Sequence, residues 1–142
     1  MALPTHLQLN VVSADRMLIS ETVDEVEIPG ADGYFGVLPG HTPLLAMLQV
    51  GELSYRRGPE THYLAVANGF AEVQPDRVTV LAEFAERASE IDVARAQASR
   101  QRAEQRLASV HAQVDMDAER ARIALLKSLI RLQVASRARI RS

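Results

Sequence analysis

The 142-residue chain contains no cysteine, which removes a disulfide framework, a cysteine-ligated metal site and a thiol nucleophile at once. It also lacks any apolar run near the roughly 18 residues that a membrane-spanning helix requires. Its first residues, MALPTHLQLNVVS, show no basic region followed by a long apolar block. The four histidines, His6, His41, His62 and His111, stand in separate segments. No HxxxH or HExxH pair offers a zinc or iron site, and no nucleophile elbow joins a serine or threonine to a histidine. Neither catalysis by the isolated chain nor metal binding is expected.

What is present divides in two. Apolar residues make up 47% of the chain, enough for a core. Residues 1–89 carry five arginines and no lysine against twelve acids, a net −7, whereas residues 90–142 carry ten arginines and Lys127 against six acids, a net +5. Opposed halves of this kind point to different partners, and only the second half is suited to an anionic one.

The first half alternates with period two: Leu7, Leu9 and Val11, then Val26 and Ile28, Leu53 and Tyr55, Leu64 and Val66, Phe70 and Val73, and Val78, Val80, Ala82 and Phe84. Such alternation predicts half-buried strands. Asn68-Gly69 reads as a tight hairpin, and Gln74-Pro75-Asp76-Arg77 as a turn with proline at its second position. Strands at such spacing imply a β-sandwich or barrel over residues 1–87, followed by a helical domain over 88–142.

After Ala88, glycine and proline vanish, and Ala, Arg, Gln, Glu and Leu dominate, a helical composition. Ser89-Glu90-Ile91-Asp92 matches a capping box. Ala96, Ala103, Leu107, Val110 and Val114 recur at helical steps, and the polar stretch His111–Asp117 is a turn candidate. A second helix is expected from about Asp117 to Arg139. One of its stripes holds Ala118, Ala121, Leu125, Leu129 and Leu132, another Ile123, Leu126, Ile130 and Val134. The alanine stripe of the first helix permits an antiparallel two-helix hairpin.

Between the strands lies GADGYFGVLPGHTPLL, Gly30–Leu45. No lysine follows its glycines, so it fails as a phosphate cradle. It reads as a long connection across one end of the sandwich, fixed by Pro39 and Pro43, with Tyr34, Phe35, Val37 and Leu38 partly exposed. Apolar connections of this length are commonly functional surfaces. His41 is expected to bond a turn carbonyl.

The segments LNVVSADR, VEIPGADGYFGVLPGHTPLL, LAVANGFAEV, RVTVLAE and IDVARA come in an order that resembles the ε subunit of rotary proton-translocating ATP synthases. The resemblance covers the whole chain. It implies an α+β fold, an N-terminal antiparallel β-sandwich of about ten strands in two sheets followed by a C-terminal two-helix antiparallel hairpin. It further implies a non-catalytic central-stalk subunit on the gamma subunit, with Asp32, Gly33, Tyr34, Phe35 and His41 docking on the membrane ring of c subunits. Many members carry an acidic residue where this chain has Tyr34, so an aromatic contact is implied there. Arg120, Arg122, Lys127, Arg131, Arg137 and Arg139 of the second helix would meet an acidic segment of the catalytic head of alpha and beta subunits. The protein would reach the membrane only through the complex, on the cytoplasmic face of a bacterial plasma membrane, although chloroplast-encoded members also lack a transit sequence.

IDVARA, Ile91–Ala96, resembles the start of the first helix in ATP-binding members. Asp92 and Arg95 stand three apart, and Arg95, Arg102 and Arg106 follow at seven and four, giving an acceptor for base or ribose and guanidinium forks for phosphates. Helix capping and a solvated arginine face account for the same residues. With Glu86, and with Lys127 and Arg131 where binding members favour two arginines, the resemblance implies regulatory ATP rather than a required cofactor. A nucleic-acid-binding module would also use the basic half, but that half has no aromatic for base stacking. A small-molecule enzyme on the sandwich has no nameable site.

Overall fold

The computed structural model describes residues 3–109 and 116–141. The chain divides after Arg87 into two compact units. The first holds eight strands: β1 (Leu7–Val12), β2 (Met17–Val23), β3 (Glu25–Gly30), β4 (Gly33–Val37), β5 (Leu44–Met47), β6 (Gly51–Arg57), β7 (Glu60–Gln74) and β8 (Arg77–Arg87). They hydrogen-bond in the order β2-β1-β8-β7-β6-β3-β4, with β5 on β7.

Two long strands make the sandwich. β8 follows β7 in register from Leu64↔Arg87 to Gln74↔Arg77. On the other flank, β7 pairs with β6 over Glu60–Val66 and with β5 over Phe70–Val73. The change of neighbour falls at Asn68 and Gly69, whose φ values are 58° and 112°. The described residues thus form eight strands in one continuous ladder where the resemblance implied about ten in two sheets, because β7 and β8 run on as single long strands of 15 and 11 residues.

Asn68-Gly69 is thus a bend within one strand and not the expected hairpin. A Cβ on Gly69 would lie 1.9 Å from the Leu81 carbonyl oxygen, so the strand turns the corner only because no side chain stands there. The antiparallel expectation holds for every pair except β1 and β8, which run parallel.

Most of the period-two residues fill the interior, but Phe70, expected among them, pairs with Leu81 on the outward face and is exposed, and Phe84 is half-buried. Leu7, Leu9, Ile28, Leu53, Leu64, Val66, Val73 and Val80 are all essentially solvent-free, each contributing about 1.5–3 kcal/mol of burial. Residues expected in a loop behave differently. Gly33–Val37 forms β4 against β3, and Val37 is fully buried rather than partly exposed.

The second unit holds a 3-10 turn (Ala88–Glu90), α1 (Val93–Ser109) and α2 (Met116–Arg141), packed as an antiparallel pair. Asp92 is the N-cap itself: its Oδ1 accepts the Arg95 N–H at 3.0 Å and its carbonyl the Ala96 N–H at 3.0 Å. The expected box began the helix three residues too early, because the segment after Arg87 first closes a 3-10 turn.

In α1 the buried residues are Ala96 and Ala103; in α2, Ala118, Ala121, Ser128, Val134 and Ala135. With half-buried Leu125 and Leu132, the α2 seam runs in alternating steps of three and four, which keeps one narrow edge on a neighbouring helix. The seam therefore takes Ser128, whose hydroxyl donates to the Ala124 carbonyl at 2.8 Å, and not the expected Leu129. Leu129, Ile123 and Leu126 are exposed. Val110, Val114 and residues 111–115 of the expected turn lie outside the described residues, as does the Arg139 side chain.

Candidate docking surfaces

The β3–β4 turn carries Asp32, and Gly33 follows at φ 134°. Tyr34 does not extend freely into solvent. Its hydroxyl accepts the Glu52 N–H at 2.9 Å, and a Cβ on Gly51 would stand 2.6 Å from that oxygen. The ring thus lies along the start of β6 with one side open. Phe35 packs on the core. Beyond β4, the Gly40 N–H donates to the Pro75 carbonyl at 2.7 Å, and the His41 Nδ1 lies 2.6 Å from the Thr42 carbonyl, the local role expected of that ring.

Asp32 and His41 therefore stand beyond opposite ends of β4, separated by about 15 Å of strand at ~3.3 Å per residue. They form no single cluster. Tyr34 and Leu38 between them, and Leu44, Leu45 and Met47 just after His41, are all exposed.

Met47 leads to a feature that the sequence reading missed. It pairs with Phe70, Phe70 with Leu81, Leu81 with Val12 and Val12 with Met17. In-register neighbours share a face, so these residues form one row across five strands, about 19 Å at ~4.8 Å per strand. Met47 is 63% exposed, Met17 56%, Leu81 43% and Phe70 41%. A register shift between Val11 and Val12 allows Leu18 and Ile19 both to face inward while Met17 turns out.

Polar groups border the row. On one side lie Glu72, Thr79, Asn10 and Ser20, where the Ser20 hydroxyl donates to Asn10 at 3.1 Å. On the other, Asn68 donates to Glu83 at 3.3 Å. An apolar strip with a polar, acidic border on a domain of net −7 has the make-up of a protein contact. The signal in the sequence was the opposite phase of the alternating strands, with Phe70 and Leu81 falling between inward residues, together with MLISETV, which was not read as a strand.

In the helical unit the nucleotide set separates by role. Ile91 and Ala96 are buried and Asp92 caps α1. Arg95 and Arg102 are exposed on α1, whereas Arg100 pairs with Glu104 at 2.7 Å. Lys127 and Arg131 stand half-buried one turn apart on α2, and Glu86 is on β8 opposite Ala65. Arg120 is exposed, Arg122 pairs with Glu119, and Arg137 is half-buried. Among the described residues no group of three His, Asp or Glu could hold a metal ion, and no helix is long and apolar enough to cross a membrane.

Family comparisons agree with this division. The model for the ATP synthase delta/epsilon chain beta-sandwich domain matches residues 6–88, and that for the delta/epsilon long alpha-helix domain matches 89–136. The chain belongs to the ATP synthase delta/epsilon family. It is 48% identical over 132 residues to the ATP synthase epsilon chain of Nitratidesulfovibrio vulgaris, covering 93% of this chain and 97% of that one. With the epsilon chain of Koribacter versatilis it shares 54% identity over 100 residues, 70% of each. Its function is accordingly that of an ATP synthase epsilon chain. The fold also matches a chain in the cryo-EM structure of the Euglena gracilis mitochondrial ATP synthase OSCP/F1/c-ring assembly, with TM-score 0.81 and 24% identity, covering 96% of this chain and 84% of that one.

Proposed function

We propose that this epsilon chain is a non-catalytic subunit of the central stalk that couples the gamma subunit to the c-ring, while its helical pair restrains ATP hydrolysis on the alpha and beta subunits. The observation that carries the coupling reading is the apolar row Met47, Phe70, Leu81, Val12 and Met17 on an acidic domain. Gamma docks there, and a basic border on gamma meets Glu72 and Glu83. The edge from Asp32 past Tyr34 and Leu38 to His41 faces the ring, with Tyr34 as a packed aromatic contact. The complex holds the subunit at the cytoplasmic face of the membrane.

Regulation rests on the other unit. Exposed Ile123, Leu126 and Leu129 on α2, beside Arg120 and Arg122, provide an apolar and basic face for the catalytic head when the pair opens. Regulatory ATP on Arg95, Arg102, Lys127 and Arg131 favours the closed pair only to the extent of its differential affinity for the two states.

Phe70→Glu places a charge at the centre of the row. Gamma binding, measured by titration calorimetry, should weaken at least about thirtyfold, as at an interface hot spot, with the sandwich still folded. Unchanged affinity in the folded variant would remove the docking assignment.

A further inference from the structure

β3 outruns one of its partners. Its pairing with β6 ends at Glu27↔Ser54, yet the strand continues to Gly30, and both Pro29 and Gly30 are buried. Carbonyls of buried residues need donors within the protein, and one residue supplies both. In the connection from β5 to β6, the Gln49 N–H donates to the Pro29 carbonyl at 3.0 Å, and its side-chain Nε2 donates to the Gly30 carbonyl at 2.8 Å. The same two stretches are joined again on either side of Gln49. Leu48 bridges Gly30, the Ala31 N–H donates to the Met47 carbonyl at 2.8 Å, and the Tyr34 hydroxyl accepts the Glu52 N–H at 2.9 Å.

These bonds lie where the two docking surfaces meet. Met47 begins the apolar row, and Ala31 begins the turn that carries Asp32 and leads into Tyr34. The backbone bonds among them would form with almost any residue at position 49, whereas the bond to Gly30 needs a side-chain donor of this length. That side chain is half-buried, so water competes weakly for the Gly30 carbonyl.

We infer that Gln49 is a positioning residue, which holds the turn of Asp32 and Tyr34 against the strand end of Met47 and makes the two docking surfaces one fixed junction. Resting on the ring-facing reading of that edge, the role gives Gln49 an effect on ring binding that acts through Asp32 and Tyr34. Gamma binding, which uses the row beyond Met47, does not depend on it.

Two substitutions test this in the full chain. Gln49→Met keeps the length of the side chain and removes the donor; Gln49→Glu keeps the shape and sets a carboxylate against the Gly30 carbonyl. Amide exchange of Ala31 should accelerate about three- to tenfold in Gln49→Met, the scale of one neutral hydrogen bond, and further in Gln49→Glu, while Leu64 and Val66 stay protected. In complex with gamma, the Gln49→Met chain should bind vesicles holding the c-ring alone about three- to tenfold more weakly than wild type, with its affinity for gamma unchanged. Unchanged Ala31 exchange in folded Gln49→Met would overturn the inference. So would equal losses of affinity for gamma and for the ring, because Gln49 would then stabilise the sandwich at large. Faster Ala31 exchange with undiminished ring affinity would keep Gln49 as the hold on the turn and overturn the ring-facing reading instead. If Gln49→Met fails to fold, Gln49→Glu decides by the same readings.

Discussion

The two units use apolar residues in opposite ways. The sandwich buries large side chains from both layers, Leu7, Leu9, Ile28, Leu53 and Leu64 among them, to complete solvent exclusion. The helical pair buries mainly alanines, with Ser128 and Val134, half-buries Leu125 and Leu132, and leaves Ile123, Leu126 and Leu129 outside. Small residues let helices approach closely but remove little area from water, and burial sets the stability. A domain built the first way is a rigid platform. One built the second way opens at low cost, which suits an element proposed to change state.

The comparison breaks most sharply in the core. Leu64→Ala should cost about 2–5 kcal/mol, lowering the sandwich melting transition while the helical signal hardly moves. Gly69→Val should prevent the sandwich from folding, since even a Cβ meets the Leu81 carbonyl at 1.9 Å. Circular dichroism reads both. A single shared transition in Leu64→Ala would mean that the units do not fold independently.

A smaller effect separates the arginines of α1. If ATP is held there, Arg95→Ala should weaken binding roughly ten- to a hundredfold, the scale of a lost charged hydrogen bond, whereas Arg100→Ala should do little because Arg100 is already paired with Glu104. Equal losses by calorimetry would reduce the binding to diffuse electrostatics.

Titration of Tyr55 sharpens the comparison from the sandwich side. Its ionisation is raised from the ordinary 10.0 to about 12, chiefly by burial. The folded state therefore favours the neutral phenol. Its contribution is complete below pH 10 and is lost as pH rises through about 12. Denaturant unfolding should show sandwich stability falling across that window, and Tyr55→Phe should remove this part of the fall.

The smallest effect is expected at the start of α1. Asp92→Ala should cost the helical pair about 1 kcal/mol, the usual loss for an N-cap, and leave the sandwich melting transition in place.

Much of the fold was legible because strand period and composition act locally. Leu7, Leu9 and Val11 announce β1 on their own, and the loss of glycine and proline after Ala88 announces the helices. The bend at Asn68-Gly69 was not legible, because a hairpin and a corner need the same positive φ and only the neighbouring strands distinguish them. The apolar row depends on register across five strands; its members Met17 and Met47 look like ordinary surface residues one at a time, and Phe70 reads as an inward residue of its strand. Asp92 was assigned a capping role at the wrong position because a 3-10 turn and a first helical turn share the same polar signals.

The division of labour between the units is tested most directly by ATP-driven proton pumping in vesicles carrying the assembled enzyme, with the full chain or with a chain ending at Arg87. The account predicts that the shortened chain keeps protons moved per ATP unchanged while hydrolysis rises, because the sandwich docks and couples and the helices only restrain. Loss of pumping per ATP, or hydrolysis equal to that with the full chain, would contradict it.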